Sequence, residues 1–314
     1  MGYIEINVRR IYNRKKEKNV KDKIYESNRI FILNEESINM DINYESYPEY
    51  LYQYTSIETL ALILDSKKIR FNSLKNVDDL EEVQSKDIKN YGKFTFVSCW
   101  TNDEKENIAL WNMYAGKMKG VRIKLPTHCF IDDKEFVEKQ LSEKDLGLIE
   151  FSKESSDTDT GIETKYNPWF AHFYALIKIC YTNDENKINE SIINVDVDSP
   201  YYSPLNLTNI GDYKRKEWGF QKEWRYVIHS SLKGWKENDK TKPTIDELRI
   251  LEEFNNIPDG IYVNIDNDNF KDMEVLLGPN TSNADKIIVK SLLEKYNPNA
   301  KLSDSYFKNK IKCK

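Results

Sequence analysis

The chain has 314 residues, 47 Lys and Arg against 52 Asp and Glu, a formal net charge of −5 and a mean hydropathy of −0.71. The small acidic excess excludes a global electrostatic pull toward nucleic acid or an anionic membrane, and no apolar run reaches the length of a membrane span. Aromatic residues make up 12%, so the expected core is rich in rings.

Residues 1–48 read as an N-terminal arm and linker. Ile4, Ile6 and Val8 alternate as a short strand, and a basic run, Arg9-Arg10 and Arg14-Lys15-Lys16, follows. From 49 to 314 nothing marks a second boundary, and one α+β domain is expected. Tyr50, Tyr52 and Tyr54 alternate as a strand. Ser56 is a helix N-cap, and Leu60, Ile63 and Leu64 recur at helical spacing. Lys68 to Ser73 reads as a strand, and Val77 to Glu82 as an acidic turn or helix start. Phe94 to Trp100 is a strand, Asn107 to Ala115 a short helix, and Val121 to Leu125 the next strand.

Lys134 to Asp145 reads as helical, Ser152 to Thr164 as an acidic loop, and Phe173 to Tyr181 as ending in a strand. Tyr201 to Asp212 is irregular, and Lys233 to Lys242 is a charged turn. Ile245 to Phe254 is a predicted helix, and Ile261 to Ile265 and Glu274 to Leu277 are predicted strands. Ser282 to Tyr296 is a predicted amphipathic helix with Ala284, Ile287, Ile288, Leu292 and Leu293 inside, and Lys301 to Phe307 a final edge strand. Strands and helices interleave without a regular βαβ rhythm, so the sheet is expected to be mainly antiparallel. Neither GxGxxG nor GxxxxGK[ST] occurs.

Trp218 to His229 stands out. At a period of two, Trp224, Tyr226 and Ile228 share one face, and Gln221, Glu223 and Arg225 share the other. This predicts a strand with an aromatic core face and a half-solvated polar face. A carboxylate beside a guanidinium on a rigid strand suits catalysis or ligand binding, and equally suits a surface ion pair. The cysteines at 99, 129, 180 and 313 and the histidines at 128, 172 and 229 lack metal-site spacing, so no metal is expected. Without a signal-peptide pattern, a cytoplasmic protein with reduced thiols is the expectation.

Four groups of residues together resemble one bacterial family of unknown function, DUF2971. They are Tyr52-Gln-Tyr-Thr-Ser56 with Phe71-Asn72; Phe96-Val-Ser-Cys-Trp100 with Leu110-Trp-Asn-Met-Tyr114 and Gly120-Val121; Lys214 with Trp218 and Glu223-Trp-Arg225; and Leu276-Leu-Gly-Pro279. The resemblance spans roughly residues 50–307, and its layout looks like a distant relative of ADP-ribosyltransferases. It implies a split-sheet core and NAD as substrate. Glu223 is then the catalytic carboxylate, with Gln221 two residues before it, where many members of the family carry Glu. Tyr52, Tyr54 and Thr55 would hold the nicotinamide–ribose end, and Trp111 and Tyr114 would line the nicotinamide pocket. Arg70, Lys214 and Arg225 would serve the charged groups of the dinucleotide. The implied setting is a toxin or phage-defence effector with a macromolecular target and a regulatory partner protein. A nucleic-acid-binding or non-enzymatic module of a defence system is the competing expectation.

Overall fold

The computed structural model describes residues 3–4, 33–34, 48–131, 133–148, 175–193, 205, 207, 209–233 and 245–311. The chain divides into two units, one of residues 1–47 with 152–172 and one of residues 48–151 with 173–314. In the first, β1 (Tyr3–Ile4) pairs antiparallel with β2 (Leu33–Asn34). The basic run at 9–16, the loop at 152–164 and the charged turn at 234–242 lie outside the described residues.

The second unit carries the candidate site. Its strands are β3 (Tyr50–Thr55), β4 (Lys68–Ser73), β5 (Thr95–Thr101), β6 (Val121–Pro126), β7 (Leu146–Leu148) and β8 (Ala175–Lys178). They continue with β9 (Cys180–Tyr181), β10 (Tyr213–Lys214), β11 (Glu223–Leu232), β12 (Gly260–Asn264), β13 (Glu274–Leu277) and β14 (Lys301–Asp304). Ten of them form one sheet, antiparallel except for the parallel β13–β14 pair. β9 and β10 form a separate parallel pair.

The sheet forks at β5. One edge of β5 pairs with β11 from Thr95 to Thr101. The other edge meets β4 at Phe96 and Val97 and meets β3 at Thr101 alone. Among the described residues, Ser98, Cys99 and Trp100 therefore have no strand partner on that side. The Gln53 side chain fills part of the gap by donating to the Cys99 carbonyl at 3.1 Å. One arm runs β4–β12, and the other runs β3–β6–β13–β14.

The helix Ile57–Ser66 bridges the two arms. Ser56 caps it by accepting from Thr59 N, and Leu60, Ile63 and Leu64 are buried. The helix Asn283–Tyr296 begins with a capping box of Ser282 and Asp285. It buries Val289 and Leu293, an i, i+4 stripe, whereas Ile287 and Ile288 are exposed. That corrects the predicted inner face: the helix lies against the unit along one narrow seam, and Ala284 also faces out. The predicted helix at 245–254 is two short pieces, Ile245–Leu248 and Ile250–Glu253.

The turn after the helix Ile108–Tyr114 is packed too tightly for a side chain at Gly120. A Cβ there would lie 2.1 Å from the Thr55 carbonyl oxygen. Gly278 N donates to Gly120 O at 2.9 Å, tying this turn to the end of β13. Gly120→Ala is expected to destabilise the protein by about 2–3 kcal/mol, because backbone rather than a mobile side chain must yield. Urea unfolding checks this; a loss near zero would mean the turn relaxes freely.

Candidate functional site

β11 is not half-solvated. Trp224, Tyr226 and Ile228 are buried on one face, as expected, with Tyr226 edge-on to Phe130 at 4.8 Å. The other face is buried as well. Leu74, Val97, Ile177, Ile179 and Val227 form a core cluster there, with Val77, Cys99, Tyr181 and Ile210 packed against it. The predicted strand also starts later. Lys216–Gln221 is a 3-10 helix, and Lys222 sits in the left-handed region at φ 45. Gln221 thus precedes the strand rather than lying on it.

What the second face buries is charge. The side chains of Glu82, Lys214, Glu223 and Arg225 are 1%, 5%, 5% and 0% exposed. Arg225 Nε donates to Glu223 Oε1 at 2.5 Å, and its Nη1 donates to Glu82 Oε2 and to Gly211 O. Lys214 Nζ donates to Glu223 Oε2 and to Gln221 Oε1, both at 2.9 Å. It also forms an ion pair with Glu82 Oε1 at 3.2 Å. Two carboxylates and two cations balance, which is the condition under which burial of four ions is tolerable. The set is completed by Tyr181, whose hydroxyl accepts from Glu223 N at 2.8 Å.

These contacts fix the protonation states. Burial alone would raise the Glu223 carboxyl, but the Arg225 guanidinium and then the Lys214 ammonium outweigh it and hold it well below the ordinary carboxylate range. Burial and the Arg225 charge push Lys214 down, yet Glu223 and Glu82 prevail and raise it. Burial, then Glu223, pushes the Cys99 thiol up, so it stays protonated. Because the folded Glu223 carboxyl is held below its ordinary range, its contribution to stability is complete above the ordinary glutamate range and is lost as pH falls through the depressed folded value. The acid limb of a urea-midpoint profile is expected to flatten in Glu223→Gln; an unchanged limb would contradict the ion pairing.

Helix Ile108–Tyr114 links this cluster to an apolar one. Asn107 caps the helix by accepting from Ala109 N and Leu110 N, while its own N donates to the Tyr54 hydroxyl at 3.0 Å. Its amide Nδ2 donates to Phe220 O at 2.8 Å and so holds the 3-10 segment. Trp111 is fully buried, edge-on to Tyr54 at 4.8 Å, with Nε1 donating to Glu106. Tyr54, Leu110, Trp111, Ala115 and Met118 form one cluster with Tyr114 against it. Tyr114 then accepts from Gln221 Nε2 at 2.8 Å.

Residues 110–226 match the family model described as "Protein of unknown function (DUF2971)". Over these residues the chain is similar to the DUF2971 family. The DUF2971 region holds Trp111, Tyr114, Lys214, Gln221, Glu223 and Arg225, and ends on the aromatic face of β11. It leaves out the fork-forming strands β3 and β4 and the Glu82 carboxylate. No curated protein and no solved structure matches the chain significantly.

Of the residues the sequence points to, the structure joins Gln221, Glu223, Lys214, Arg225 and Tyr114 in one hydrogen-bonded set. Tyr54 and Trp111 stand one layer away, joined through Tyr114. Tyr52 is buried beneath Arg122, whose guanidinium lies 4.6 Å from its ring centroid, and Thr55 is buried at the end of β3. Arg70 is exposed on β4 opposite Tyr262, on the other arm of the fork. Glu82 is the partner that sequence reading missed; Val77–Glu82 offers only an acidic turn, with nothing to tie it to a strand 143 residues on. No helix among the described residues is long and apolar enough to cross a membrane.

Proposed function

We propose that this protein cleaves the nicotinamide–ribose bond of NAD, as an ADP-ribosyltransferase-like enzyme or an NAD glycohydrolase. The observation that carries the reading is the position of Glu223. It lies on β11 directly opposite Thr101, the β5 residue where the β3 arm departs. Glu223 and Arg225 sit across β5 from the edge at which the two arms of the sheet part.

In the reaction the glycosidic C–N bond breaks, and its electron pair leaves on nicotinamide. The cationic ring becomes neutral while positive charge grows on the ribose. A carboxylate near the ribose stabilises that charge. Water or an acceptor then bonds to the ribose carbon and loses a proton, giving ADP-ribose or its conjugate. Glu223 has both oxygens engaged, so it serves only if the ligand draws Lys214 away, and an anionic pyrophosphate is the group that would do so.

The same engagement favours a second reading, in which the four buried ions are an architectural clamp joining the 74–82 segment to β11. Incubating the full chain with NAD and quantifying free nicotinamide separates the two. Turnover that scales with enzyme supports the first reading; neither turnover nor NAD binding leaves the clamp.

A further inference from the structure

Glu82 stands where an anion would bind. It comes from the 77–82 segment, and the two groups it meets, Arg225 Nη1 and Lys214 Nζ, belong to the two buried cations of the cluster. Its fit there is incomplete. Among the described residues, Arg225 Nη2 is buried without a hydrogen-bond partner, and Glu82 Oε1 lies 3.2 Å from Lys214 Nζ without making a hydrogen bond. A guanidinium fork with a spare donor suits an anion that offers more oxygens than one carboxylate does. Without Glu82 the local charge rises from zero to plus one, because Lys214 and Arg225 then face Glu223 alone.

The segment that carries Glu82 is lightly fastened. Val77 packs on the core cluster under β11. From there to Glu82, among the described residues, the backbone bonds only to near neighbours: Val77 N donates to Leu74 O, Glu82 N to Asp79 O and Gln84 N to Glu81 O. Leu80 at its tip is 72% exposed. Glu81, next to Glu82, pairs with Arg215, next to Lys214, through Nε at 2.7 Å and Nη2 at 2.6 Å. That outer pair is partly in solvent, so it contributes little against opening.

We propose that Lys214 and Arg225 form a binding site for the pyrophosphate of the dinucleotide, and that Glu82 is its built-in competitor, displaced by the ligand together with the 77–82 segment. This rests on the NAD reading for the identity of the ligand and adds a means of control to it. With Glu82 in place the cluster is closed and Glu223 is fully paired. Phosphate oxygens take over the two cations that Glu82 held, Lys214 turns toward them, and Glu223 Oε2 is released.

Calorimetric titration of the full chain with inorganic pyrophosphate tests this without relying on turnover. Glu82→Gln keeps the shape of the side chain and removes its charge. It is expected to bind pyrophosphate at least about tenfold more tightly than the wild type, because the open site no longer competes with its own carboxylate. Adding Lys214→Met, which restores neutrality beside Glu223 and Arg225, is expected to abolish the gain. Equal affinity of wild type and Glu82→Gln overturns the proposal, and so does binding by neither or a gain that survives Lys214→Met. Should Glu82→Gln not fold, hydrogen exchange of the wild type decides: pyrophosphate is expected to speed exchange of the 78–82 amides, and unchanged exchange overturns the proposal. Tighter pyrophosphate binding in Glu82→Gln, in a protein that releases no nicotinamide, supports the anion site and overturns the NAD reading. Nicotinamide release with unchanged pyrophosphate affinity does the reverse.

Discussion

Arg225→Met is expected to cost about 3–5 kcal/mol of folding stability, the typical loss when one partner of a buried ion pair is removed. Arg225 is fully buried and donates to two carboxylates and a backbone carbonyl. Without it, Glu82 and Glu223 face each other with Lys214 as the remaining cation, and one negative charge is stranded away from water. Urea unfolding followed by circular dichroism measures the loss. A second substitution, Glu82→Gln, is expected to restore part of it, because removing the stranded charge removes its desolvation penalty. A loss under about 1 kcal/mol for Arg225→Met would show that the cluster contributes little to the fold.

Glu223→Gln is expected to lower kcat for nicotinamide release by about 10²–10³, the scale for removing one group aimed at developing charge. The amide keeps the size and one acceptor but removes the negative charge, and the ribose carries its positive charge only in the transition state. KM is expected to change far less. Glu223 also receives Arg225 and Lys214, so the variant is less stable, and the comparison belongs at a temperature where both proteins are folded. A clamp residue with no catalytic part would instead lose activity only in proportion to the unfolded fraction.

The strands were legible where alternation and neighbours agree. Lys68–Ser73 and Glu274–Leu277 begin and end where their sequence patterns do, Tyr50–Thr55 runs one residue past its alternating tyrosines, Ser56 caps the helix it precedes, and Ser282, read as the first helical residue, is the cap of Asn283–Tyr296. β11 shows the limit. Alternation separates two faces but is silent on what covers the polar one, and here the 74–82 and 209–214 segments do. It also runs through Lys222, whose left-handed backbone ends the 3-10 segment and starts the strand one residue later. Ile287 and Ile288 look like core on a helical wheel, yet the helix meets the unit along Val289 and Leu293.

Within the site, Glu223, Arg225, Lys214 and Gln221 were legible as residue types in one motif. Their mutual ion pairing was not, because it depends on Glu82 arriving from a distant turn. Asn107 is of the same kind. The sequence offers it only as the start of a short helix, whereas its contacts to Tyr54 and Phe220 set where Tyr114 and Gln221 meet.

The most direct test is free nicotinamide released from NAD by the full chain and by Glu223→Gln in one assay, both verified folded by circular dichroism. The account predicts catalytic release by the wild type and a loss of at least about a hundredfold in the variant. Equal release by the two, or none by the wild type, would contradict it.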